Sequence, residues 1–172
     1  MIDAVLVRTL RRRLGQRGVA ATVVVLFLPS LLAGLALVVD AGVLLVCRAQ
    51  LAAAADMGAL AGAQDLDYEL LAAGKVVIRS EQAVGDAEAY VRENLRGRPF
   101  IEADSVRVTV TVVNPAAADG SRQPACPVTG RALEAPTVCV VVRATVRLPL
   151  LPGKAAVTVR VHADAGVVGR PG

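Results

Sequence analysis

Three cysteines and one histidine are the side chains best suited to covalent or metal chemistry: Cys47, Cys126, Cys139 and His162. Cys126 lies in the loop-like QPACPVTG and Cys139 in a valine-rich run, with no histidine or further cysteine near either. Two thiols alone leave a zinc site incomplete. His162 stands beside Arg160 in an alternating run, with no nucleophile motif next to it, and reads as a solvated strand residue. Phosphate loops and metal-ligand helices are equally lacking, so no catalytic residue, cofactor or metal ligand is expected. The chemistry that remains is oxidative. In an oxidising compartment Cys126 and Cys139 are the natural disulfide pair, and Cys47, in an alanine-rich run, is a small packing residue.

What positions these residues begins with an apolar segment. Hydrophobic residues make up 55% of the 172 residues but aromatics only 2%. Such apolar mass, made of Ala, Val and Leu, belongs partly in lipid rather than in a core. Val19 to Val39 carries no charge and as a helix spans about 31 Å, close to the ~30 Å hydrocarbon thickness of a bilayer. Pro29 and Ser30 fall inside it and are tolerated in lipid-embedded helices. The run exceeds the apolar core of a cleaved signal, which is the competing reading. Arg8, Arg11, Arg12, Arg13 and Arg17 precede it against Asp3 alone, whereas residues 41–172 are nearly neutral. The basic balance is therefore a topology signal: a cytoplasmic N-terminus and an exterior C-terminal part. Basic residues confined to a tail, without interleaved aromatics, argue against nucleic acid as a partner.

Past Asp40 the pattern stays helical, and no proline occurs between Ser30 and Gly97. Ala54, Gly58 and Gly62 recur every four residues, a stripe that lets another helix approach closely. Alanine-rich composition is the plainer explanation of the same stripe. Residues 64–79 show no period and read as a connecting loop. Ser80 is placed as the N-cap of an amphipathic helix with Val84, Ala87, Val91 and Leu95 on its apolar face, joined by Ala83 and Tyr90, and ended by Gly97 and Pro99. Three runs then alternate with period two: Ser105–Val113, Thr137–Leu148 and Ala156–Asp164, the last two joined as a hairpin by Pro149–Gly153. The expectation is an α+β fold with a helix on one face of an antiparallel sheet of three or more strands. The chain divides into a tail at 1–18, a membrane-spanning and projecting helix at 19–63, and an exterior domain at 64–172.

Residues 17–63 carry a recognisable series: RGVAA from Arg17, Leu28-Pro29, VVDAG from Val38, RAQLAAAAD from Arg48, and ALAGA from Ala59. This series resembles the N-terminal module of TadE/TadG-like Flp (tight-adherence) pilus-assembly proteins. The resemblance implies a membrane-anchored, pilin-like or pseudopilin component, with the lipid bilayer, other pilin-like chains and an assembly platform as partners. TadE-type relatives carry a glutamate five residues after the glycine cut by a prepilin peptidase. Here Gly18 would be that glycine and Val23 stands at the glutamate's place, which aligns the chain with the TadG-like branch. The alternative function is a membrane-anchored extracytoplasmic binding or sensing domain unrelated to pili.

Overall fold

The computed structural model describes residues 3–115, 125–151 and 155–167, with backbone alone for 3–20. A single helix, α1, runs over Asp3–Ala63, 61 residues without a break. Pro29 deprives the Val25 carbonyl of its helical donor, but the helix continues, and the Ser30 hydroxyl donates to Leu26 O at 3.3 Å. The two halves of α1 differ in surroundings. From 21 to 39 every residue except Ala36 is exposed, and this segment is long and apolar enough to cross a membrane. From Asp40 on, burial recurs at helical spacing: Cys47, Leu51, Ala54, Ala55, Gly58, Ala59 and Gly62.

After α1 the chain forms a short helix, α2 (Tyr68–Ala72), inside the stretch expected to be a loop. Its start is set by Asp67, whose Oδ1 accepts from the N–H groups of Glu69 and Leu70, both at 3.1 Å. That is an aspartate N-cap, and five residues are too few for the period to show. Helix α3 covers Ser80–Leu95, as its apolar spacing predicts, and buries Ala83, Ala87, Val91 and Leu95. Ser80 is the first helical residue, not the cap. Arg79 holds the cap position without a side-chain bond, and its carbonyl accepts from Ala83 N at 3.0 Å.

The strands β1 (Arg107–Val113), β2 (Thr137–Arg147) and β3 (Ala156–Gly166) form one antiparallel sheet in the order β1-β2-β3. The β1 start moves two residues from the expected Ser105 because Ala103–Ser105 closes a 3-10 turn. There the Ser105 hydroxyl accepts from Thr145 N at 2.8 Å, and Phe100 to Glu102 continue the pairing along β2. Valines 108, 110 and 112 of β1, 138, 140, 142 and 146 of β2, and 159 and 161 of β3 face the helices. Helices α1 and α3 lie antiparallel over that face, α1 over β2 and β3 and α3 over β1. The fold is thus α+β, two helices on one face of a three-stranded sheet. Its core takes in Cys47 to Ala59 of α1, so the compact unit begins inside α1, and a boundary at 63/64 would divide one core.

The other face of β2 is covered near its start. A disulfide joins Cys126 to Cys139, with Cα atoms 6.3 Å apart. Leu133 and half-buried Val113 and Val128 pack around it. A bridge across 13 residues contributes on the order of 3 kcal/mol by restricting the unfolded chain. A second tie is purely polar. The Asn114 side chain accepts from Ile78 N and donates to Ile78 O, each at 2.9 Å, joining the α2–α3 connection to the end of β1.

The glycines of α1 mark where it meets α3. A Cβ on Gly58 would lie 2.5 Å from Val91 Cγ2 and 3.0 Å from Ala87 O, and one on Gly62 would lie 2.7 Å from Ala83 O. Leucine has the higher helix propensity, but here it collides with backbone and a branched side chain. Gly58→Leu is expected to destabilise the folded unit by about 2 kcal/mol or more, read as a lower calorimetric midpoint of the detergent-solubilised chain. An unchanged midpoint would refute this seam.

Candidate functional site

The residues with functional weight lie along α1 and on the outer face of the sheet. The stripe Ala54, Gly58 and Gly62, expected to receive a neighbouring subunit's helix, receives α3 of the same chain. The reason is steric: α3 brings Ala83, Ala87 and Val91, four residues apart, against the glycines of α1. The stripe is filled from within and leaves no groove for a partner. Cys47 is buried beside it, with Sγ 3.9 Å from Pro99 O. The side chains of Arg11, Arg12, Arg13, Arg17 and Gly18's surroundings lie outside the described residues. Val23 is on the exposed apolar half of the helix.

Asp40 is the residue whose role the sequence understated. It ends the uncharged run, yet it is 2% exposed. Its Oδ1 accepts from Leu150 N at 3.1 Å, and its Oδ2 is buried with no partner among the described residues. A buried carboxylate is costly unless it is bonded, so this contact fixes the chain after β2 to α1 at one height along the helix. The signal lay in the position of Asp40 directly after Val39, but the partner is 110 residues away.

On the outer face of the sheet, Arg107 stands opposite Arg143 and Arg143 opposite Arg160, all three exposed. Like charges directly across strands repel. Arg107 donates to the Asp104 and Val106 carbonyls, and Arg143 and Arg160 have no ion pair among the described residues. His162 is on the same face, opposite Val141. Among the described residues no three His, Cys, Asp or Glu side chains gather as metal ligands would.

The electrostatic perturbation that stands out is at the far end of the domain. Asp65 Oδ2 is shut off from solvent. Burial first, then the nearby Asp86 carboxylate, raise the Asp65 pKa above its ordinary 3.8, against the lowering pull of Arg79. A carboxyl whose folded pKa is raised favours the folded state below its unfolded pKa, and that advantage is lost as pH rises through the folded value. Asp65→Asn should therefore raise the melting midpoint at pH 7, with the gain shrinking as pH falls toward 3.8. An equal midpoint difference at pH 7 and pH 4 would refute it.

No curated protein and no solved structure matches the chain. One family does, over residues 18–65, which is the exposed apolar half of α1 together with the half buried under α3 and the sheet. The match is to a joint family and draws no line between its TadE-like and TadG-like branches. Over that stretch the chain is similar to Tad, the TadE/G-like Flp pilus-assembly family.

Proposed function

We propose that this protein is a non-enzymatic, membrane-anchored, pilin-like component of Flp pilus assembly or a related secretion system. The single observation that carries the reading is the coincidence of the family match with a two-part helix: bare and apolar from 21 to 39, then locked into a folded domain from Asp40. A helix that exposes Val24, Phe27, Leu31, Leu35 and Val38 to its surroundings needs lipid or other apolar helices around it. The arginines before it orient the N-terminus to the cytoplasm and the sheet to the outside, where a disulfide persists. Protease added to intact spheroplasts should therefore digest the domain beyond Ala63, and a fully protected C-terminal tag would overturn the orientation.

With the Gly58 stripe occupied by α3, packing against pilin-like partners runs through the lipid-embedded half. Ser30 and Gly34, four residues apart, supply small residues there, and nothing lies within 4 Å of a Cβ placed on Gly34. Gly34→Leu should leave the domain folded and the Cys126–Cys139 bridge intact while reducing in-membrane crosslinking to pilin-like chains by about tenfold, a coupling of ~1.4 kcal/mol. Unchanged crosslinking would refute this helix-packing role and favour a membrane-anchored binding or sensing domain.

A further inference from the structure

We infer that Pro149, Leu150 and Leu151 after β2, with Phe100 beside them, form a membrane-interface foot: they rest in the headgroup layer of the leaflet from which α1 emerges and hold the domain against the bilayer. The inference rests on α1 spanning the membrane, and goes beyond it. Asp40 is the first charged residue after the uncharged run, so it marks the hydrocarbon boundary. The Asp40 Oδ1 to Leu150 N bond of 3.1 Å places Leu150 at that same height. Leu150 is 50% exposed and Leu151 37%, with Pro149 exposed before them. Leucines held at that level have no water-rich layer beneath them; they meet lipid.

The contact continues upward along α1. Phe100 is 43% exposed and lines one hollow with Leu148, Pro149 and Leu151 and another with Val43, Val46 and Cys47. Cys47 is seven residues beyond Asp40, about 10 Å along the helix, whereas a headgroup layer is roughly 5–8 Å deep. Leu150 thus lies at the base of that layer and Phe100 farther out along α1, and Leu and Phe are side chains that insert at the headgroup and acyl boundary. The backbone of Phe100 adopts φ 66°, unusual for a side chain of this size, and its carbonyl accepts from Arg147 N at 2.8 Å. Arg98, next to Pro99, is exposed with Nε bonded to the Asn94 carbonyl and no acidic partner among the described residues, in reach of lipid phosphates. Because α3 runs antiparallel to α1, its C-terminal end is the end nearest the bilayer. One surface, made from the ends of α3 and β2, therefore faces lipid.

The test uses the full chain in nanodiscs of phosphatidylcholine and phosphatidylglycerol. An environment-sensitive fluorophore is attached at Leu150→Cys in a Cys47→Ala background, the other cysteines being bridged. The same label at Leu31→Cys reports the span and at Tyr68→Cys reports the far end of the domain. Quenching by lipids carrying a nitroxide near the headgroup should be at least threefold greater at Leu150 than at Tyr68. Asp40→Ala should reduce the Leu150 quenching at least twofold, and Asp40→Asn, which keeps the acceptor oxygen, should restore it. Quenching at Leu31 with none at Leu150 above the Tyr68 level overturns the foot and leaves the span intact. Absence of quenching at Leu31 by lipids carrying the nitroxide deep on the acyl chain overturns both. Equal Leu150 quenching in Asp40→Ala and the parent removes Asp40 as the positioning residue.

Discussion

Between Gly58 of α1 and Val91 of α3 there is no room for a methyl group, and the arrangement of the folded unit follows from that contact. Glycine lets the two backbones close together, and a second close approach at Gly62 against Ala83 O fixes the direction in which α3 runs. With two helices side by side, their combined apolar faces are wide enough to cover three strands. That matters in a chain with no tryptophan and two phenylalanines, where valine and alanine must fill the core by close packing rather than by bulk. The seam is thus the condition under which such small side chains make a continuous core.

The same helix answers to two solvents. From 21 to 39 it offers side chains outward on every side, as a helix in lipid must, while beyond Asp40 it buries a narrow line of Cys47, Leu51, Ala55 and Ala59. No break in the backbone separates them. The change is made by Asp40, which takes its hydrogen bond from a turn in the folded domain rather than from water. A rigid continuous rod with its domain tied at one height transmits any tilt or rotation of the membrane half directly to the sheet. This follows from stiffness alone.

Much of this architecture was legible in the sequence, and the parts that were not share a cause. The strands showed because valine or alanine recurs at every second position, opposite threonine, arginine and other residues, and α3 because its apolar residues recur every three to four positions. The uncharged span needed only counting. The stripe at Ala54, Gly58 and Gly62 was visible as a packing surface, but nothing local states whether its occupant comes from the same chain or another, since small residues fit either. The Asp40–Leu150 bond, the Asn114–Ile78 clamp and the Ser105–Thr145 contact join residues 36 to 110 positions apart. Each is made by one polar side chain with no periodic signature. The Cys126–Cys139 bridge was the exception among distant contacts, because the chemistry of thiols narrows the choice of partner.

The row Arg107, Arg143 and Arg160 has a consequence for life in a crowded plane. Anchored proteins meet one another edge to edge and face to face far more often than free ones. A three-stranded sheet whose two edges are unpaired among the described residues, one of them the eleven residues of β3, is a template for unwanted joining. Two such faces coming together would confront six guanidinium groups across a gap shorter than the ~8 Å screening length of physiological salt. The strain that the row places on a single sheet is small beside the repulsion it raises between two. The arginines act as a spacer made of charge, keeping neighbouring sheets apart.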